Sequence, residues 1–156
     1  MKNRFLTLIS ALMLFSAVVV LNSCSKDDED PSNVITDGDG IRIELTWTTG
    51  GTAAEARDEA DLDLDINEDD GTDVTSSSTF TEFEGVDLAD RPDGVYIVTV
   101  RAFRVDADGT YTVRVEGLDV NDFFTYDSDF DTDDESDSFE FLRITKSGDK
   151  YTIVKI

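Results

Sequence analysis

The sequence predicts an all-β fold, a single antiparallel β-sandwich of about seven strands. Three observations carry that expectation. Residues 41–48 and 61–66 alternate strictly between apolar and polar, the mark of strands with one face buried. Short apolar runs recur as far as Ile156, separated by clusters of Asp, Asn, Gly, Pro and Ser that supply turn chemistry. No stretch of the domain carries the apolar stripe of an amphipathic helix. Residues 53–60 are rich in helix formers but nearly lack such a stripe, which suits a single helical turn or a flexible connection.

Taken in order, Ile41, Ile43, Leu45 and Trp47 share one face of the first strand, and Arg42, Glu44, Thr46 and Thr48 the other. In the second, Leu62, Leu64 and Ile66 point inward and Asp61, Asp63 and Asp65 outward. The two segments are expected to face each other, with later strands laid against the pair. Residues 67–72 form a turn, and residues 74–79, rich in Ser and Thr, are a loop or an edge strand. Phe80 and Phe83 mark a short strand, and residues 87–94 a loop ending in Arg91-Pro92-Asp93-Gly94. Residues 95–103, apolar on both faces for much of their length, form the central strand. Asp106-Ala107-Asp108-Gly109 turns the chain back into residues 110–116. Residues 118–126 dock through Val120, Phe123 and Phe124 without a clean period. A second hairpin joins residues 138–145 to residues 150–156, which ties the end of the chain into a sheet.

Domain organisation follows from the first 40 residues. Lys2 and Arg4, the apolar run 5–21 and Leu21-Asn22-Ser23-Cys24 read as an export signal of residues 1–23. The bland alternative is an uncleaved membrane anchor, for which the apolar run is at the short limit. Residues 24–40 read as an acidic flexible linker, and residues 41–156 as the β-sandwich domain. The chain carries 13 basic and 36 acidic residues, a formal charge of −23, and no acidic residue precedes Cys24. Such a surface repels nucleic acid and favours cations or basic partners. The sequence has no histidine and one cysteine, which removes Ser-His-Asp and Cys-His nucleophile systems and any intramolecular disulfide.

Leu21 to Cys24 resembles the lipobox of bacterial lipoproteins, and the Lys26-Asp27-Asp28-Glu29-Asp30 run resembles the surface-export signal of Bacteroidota-type lipoproteins. That resemblance implies acylation, such as palmitate, at Cys24. It also implies attachment to the outer membrane through the lipid, with display on the cell surface or, alternatively, facing the periplasm. Further on, Leu45-Thr46-Trp47, Asp61-Leu62-Asp63-Leu64, residues 93–100 and residues 109–115 together resemble the pre-peptidase C-terminal type of β-sandwich. The resemblance spans about residues 41–116 and implies a non-catalytic accessory or adhesive module, in some members calcium-binding.

The acidic residues suggest two candidate metal sites. One is Asp61, Asp63 and Asp65 with Asp69 from the following turn; calcium wants six to eight oxygens, so neighbouring loops would have to contribute. The other is the run holding Asp127, Asp129, Asp131 and Asp133, which starts like an EF-hand loop but has Thr132 where the glycine belongs and Ser138 where the closing glutamate belongs. The bland reading of both is a solvated acidic surface, with residues 127–138 a disordered loop. Phe123, Phe124, Tyr126 and Phe130 offer faces for stacking on sugar rings, although at least two are expected in the core. The expected function is a membrane-anchored, non-catalytic binding or structural module, possessing calcium at most as a stabiliser. A carbohydrate-binding or adhesion module, with a glycan or protein partner, is the alternative, and a carboxylate-based hydrolase the least favoured.

Overall fold

The computed structural model describes residues 33–156. The export signal, Cys24 and the first part of the linker lie outside the described residues. The all-β sandwich expected from the alternation is what the chain forms, as two antiparallel sheets holding ten strands among the described residues.

In chain order the strands are β1 (Asn33–Thr36), β2 (Ile41–Thr48), β3 (Ala60–Glu68), β4 (Asp73–Ser77) and β5 (Phe83–Leu88). They continue with β6 (Gly94–Val105), β7 (Gly109–Gly117), β8 (Phe123–Phe130), β9 (Ser138–Ser147) and β10 (Lys150–Lys155). The larger sheet runs β1-β10-β9-β6-β3-β4 and the smaller β5-β2-β7-β8. β2 and β3 thus belong to opposite sheets. Ile41, Ile43, Leu45 and Trp47 from one share a single buried core with Leu62, Leu64 and Ile66 from the other. β6 is interior, paired with β3 on one side and β9 on the other, as its two-faced apolar pattern requires.

Between β2 and β3 the chain forms a short helix, α1 (Ala53–Glu59), more than the single turn expected. A capping box sets its start: the Thr52 side chain accepts from the Glu55 N–H, and Glu55 accepts from the Thr52 N–H at 2.7 Å. Only Ala56 of the helix is buried, which is why no apolar stripe is visible in its sequence.

Three expectations need correction. Residues 33–36, assigned to the linker by their acidic surroundings, form β1, which pairs with β10 and buries Ile35; Asn33 also donates to the Tyr126 hydroxyl at 2.7 Å, linking the two sheets. Residues 127–130, read as loop, continue β8 against β7 as far as Phe130, which is buried. The strand marked by Phe80 and Phe83 begins at Phe83 and runs past Asp87, with Val86 and Leu88, not the phenylalanines, buried.

Candidate functional site

The outer face of the larger sheet at β3 departs most from the sequence expectation. Asp61 and Asp63 point away from Leu62 and Leu64, as alternation requires. They are nevertheless only 7% and 5% exposed. Two neighbours cover them: the 78–82 connection between β4 and β5, and the side chains of β6 that stand on the same face.

A β-bulge explains the β6 side. Asp61 pairs with Arg104, but Leu62 pairs with Ala102, so Phe103 is an extra residue with no partner on β3. Bulges re-aim side chains in this way. Ala102 and Val105 remain buried while Phe103, between Arg101 and Arg104, is turned out to 60% exposure.

On the other side a buried carboxylate fixes the β4–β5 connection. Glu84 is 1% exposed. It accepts from the Ser77 hydroxyl and from both the N–H and the hydroxyl of Thr79, the latter at 2.8 Å. Held this way, the connection presents Phe80 to solvent, 81% exposed. Asp61, Asp63, Thr79, Phe80, Arg101 and Phe103 line a cleft of about 280 Å³, at the small end of the ~300–1,000 Å³ usual for ligand sites.

The acids on its floor differ. Arg101, directly opposite Asp63, donates to Asp63 Oδ2 from Nη2 at 2.6 Å and from Nε at 3.1 Å, and its Nε lies 3.8 Å from Asp65 Oδ2. The hydrogen bond to Asp63 raises the Arg101 pKa above its ordinary value. Among the described residues Asp61 has no such partner: its Oδ1 is buried and accepts no hydrogen bond from them. Arg104 beside it donates instead to the Arg57 carbonyl at 3.0 Å and lies 3.6 Å from Asp106. Burial, then the charge of Asp63, raises the Asp61 pKa, with Arg104 opposing and Glu84 adding to the rise. Burial also raises that of Asp65, against the pull of Arg101.

This arrangement does not fit calcium. The guanidinium of Arg101 sits between Asp63 and Asp65, where an ion shared by neighbouring carboxylates would be, and calcium needs six or more oxygens. Among the described residues no group of three or more acidic or thiol side chains is placed to hold a metal ion. Asp69 is remote from the ladder, in the β3–β4 turn, 3.7 Å from Arg143 and beside a separate open cleft with Asp70, Asp93 and Tyr96.

The second candidate run is also spread out. Asp127 and Asp129 lie on extended β8, where Asp127 accepts from the Thr112 hydroxyl at 2.6 Å. Asp131 caps a 3-10 turn (Thr132–Asp134), accepting from the Asp133 N–H at 2.9 Å, and Asp133 belongs to that turn. Carboxylates two apart on a strand stand roughly 6.6–6.8 Å apart, so these do not wrap around a point. Of the aromatics nearby, Phe130 is buried and Phe124 and Tyr126 pack on the core. Phe123 is exposed, with the Arg114 guanidinium 4.0 Å from its ring centre.

Sequence reasoning named Asp61 and Asp63 but missed Arg101, Phe103, Phe80 and Glu84. One signal was present. The buried positions of β6 step by two through Val98, Val100 and Ala102, then by three to Val105, and that slip marks the bulge that frees Phe103. No family model matches the chain, and no curated protein or solved structure is significantly similar to it.

Proposed function

We propose that this protein is a membrane-anchored lipoprotein whose β-sandwich is a non-catalytic binding module, with the cleft at Asp61, Phe80 and Phe103 as its ligand site. The observation that carries the reading is the pair of exposed phenylalanines flanking a buried carboxylate. Exposed aromatic faces around convergent polar groups are the usual make-up of a recognition site. Here the bulge sets Phe103 on strand β6, and the Glu84 anchor holds the connection that carries Phe80. The lipobox at Leu21 to Cys24 supports anchoring through acyl chains on Cys24 at the outer membrane. The acidic run behind it supports display on the cell surface. A glycan is the second reading of the ligand, since phenyl rings also stack on sugars.

The test is a panel of soluble oligosaccharides and primary amines screened by thermal melt. It uses the native protein and a Phe80→Ala/Phe103→Ala variant that retains a cooperative melt. A ligand bound only by the folded state raises the midpoint. A rise present in the native protein and absent in the variant upholds the cleft. An equal rise in both moves binding elsewhere, and turnover of a panel glycan overturns the non-catalytic reading. For the anchor, Cys24→Ser is expected to release the protein from the membrane fraction and to remove the acyl mass.

A further inference from the structure

We infer that the cleft takes an alkylammonium group, a protonated primary amine free or carried on a lysine side chain, with its nitrogen at Asp61 and its methylene stem between Phe80 and Phe103. The inference rests on the binding reading above and names the chemistry of the ligand.

Three properties of the cleft select a cation. Asp61 is more than nine-tenths buried and its Oδ1 lacks a donor, whereas its neighbours Asp63 and Glu84 are held by Arg101 and by Ser77 and Thr79. A buried carboxylate without a donor carries a standing cost, and an N–H group entering the cleft that Asp61 lines reduces it. The local balance is also acidic: Asp61, Asp63, Asp65 and Glu84 outnumber Arg101 and Arg104. Arg101 turns its Nε and Nη2 to Asp63, so an anion would compete with that carboxylate for the arginine and would meet the unpaired Asp61 beside it. The formal charge of −23 adds long-range attraction for cations.

The rim supplies the remaining part. Phenyl faces attract cations and cover apolar stems, and a lysine side chain combines a compact ammonium with a four-carbon stem. A volume of about 280 Å³ suits a group of side-chain size. Phe80 and Phe103, both largely exposed, change rotamer on the ps–ns scale and so can part to admit it.

The test is a titration of the purified ¹⁵N-labelled protein with n-butylammonium and with N-α-acetyl-lysine N-methylamide, using 1-butanol and glucose as neutral probes. Both amines are expected to shift the amides of Asp61, Phe80 and Phe103 saturably, and more weakly as salt rises; 1-butanol at equal concentration is expected to leave them in place. Asp61→Asn, which keeps the shape and removes the charge, should weaken amine binding at least tenfold, and Phe103→Ala several-fold, each in a protein that melts cooperatively. Tighter binding of the lysine derivative than of butylammonium upholds the inference and assigns the amine to a peptide; equal binding upholds it and assigns a free amine. Equal amine binding by the native protein and Asp61→Asn overturns it. Cleft shifts with glucose but not with amines overturn it while the binding-site reading stands, and no cleft shift with any of the four probes removes both.

Discussion

Asp37, between β1 and β2, accepts the backbone N–H of Asp119 at 2.7 Å across 82 residues of chain, and the same oxygen accepts from Val120 at 3.0 Å. Its other oxygen accepts from Asp39 at 2.8 Å. The carboxylate is 3% exposed and ties the entry of the domain to the β7–β8 connection. Burial alone would raise its pKa, but the N–H groups of Asp119, Asp39, Val120 and Gly40 together hold it below the ordinary 3.8. The unfolded chain therefore binds this proton more readily than the folded one. The stabilisation is full above the unfolded value and is lost as pH falls through the lowered one. Asp37→Ala should cost roughly 2–3 kcal/mol at neutral pH by urea unfolding, since hydrogen bonds to charged groups contribute roughly 1.5–3 kcal/mol each and partly exposed donors recover water. The penalty should shrink in acid; a penalty independent of pH would contradict the account.

Gly117 lies against that carboxylate. A Cβ built there would stand 2.7 Å from Asp37 Oδ2 and closer still to the Val120 side chain. Gly117→Ala should destabilise by about 1–3 kcal/mol, the range for overpacking. Because the clash is partly with Asp37, the loss should be smaller when Asp37→Ala is already present. A double-mutant cycle reads that coupling, and strict additivity would show that the two residues act independently.

Asp61 has the opposite sign. Its folded pKa is raised, first by burial and then by Asp63, so the folded chain binds the proton more readily than the unfolded one. The charge costs stability in full above the raised value, and the cost is relieved as pH falls from there towards 3.8. Asp61→Asn is therefore expected to melt higher than the native protein at neutral pH, with the difference closing in acid. A lower melt at neutral pH would mean that the attraction of Arg104 outweighs burial. A carboxylate retained at a cost to the fold is what a ligand site predicts.

These residues also show what was legible. β2 and β3 could be read directly because one face of each is buried and side chains alternate, so the spacing of Ile43, Leu45, Leu62 and Leu64 carries the fold. β1 was hidden because its four residues bury one side chain, Ile35, amid acidic surroundings. β8 was hidden because its half-buried positions, Phe124, Tyr126 and Ser128, are interleaved with exposed Phe123 and Asp127, which dilutes the period. Glu84 occupies an inward position that alternation reserves for apolar residues, and only the neighbouring strand and connection, through Ser77 and Thr79, make it tolerable there. The cleft depends on such contacts between elements, so spacing along the chain revealed its aspartates and not its rim.

Gly109 illustrates the same limit. In sequence it ends an Asp-Ala-Asp-Gly turn, yet it is the first residue of β7, paired with Phe130. A Cβ there would collide with the Phe130 ring and with the backbone carbonyl oxygen of Thr48. The glycine is required by close approach rather than by turn conformation, and the carbonyl cannot swing aside as a side chain would. Gly109→Ala should destabilise by about 1–3 kcal/mol, and Phe130→Leu should recover only part of that loss. Full recovery would place the whole clash on the ring.

Arg101 separates the solvated and the cation-bound readings of the aspartate ladder. With its guanidinium 2.6 Å from Asp63 and 3.8 Å from Asp65, an internal cation already supplies the positive charge that calcium would bring. The native melt is therefore expected to be the same with calcium as with chelator at matched ionic strength. Removing the arginine leaves Asp63 buried without its partner, a change that costs roughly 3–5 kcal/mol when the pair is fully buried and less here, where Arg101 is partly exposed. Arg101→Ser should thus melt well below the native protein, and calcium should restore part of the loss by binding, in the folded state, the carboxylates left without their arginine. Calcium sensitivity in the native protein would show that Arg101 yields its place to the ion. Insensitivity in both proteins would show that the three aspartates stand too far apart along β3 to share one.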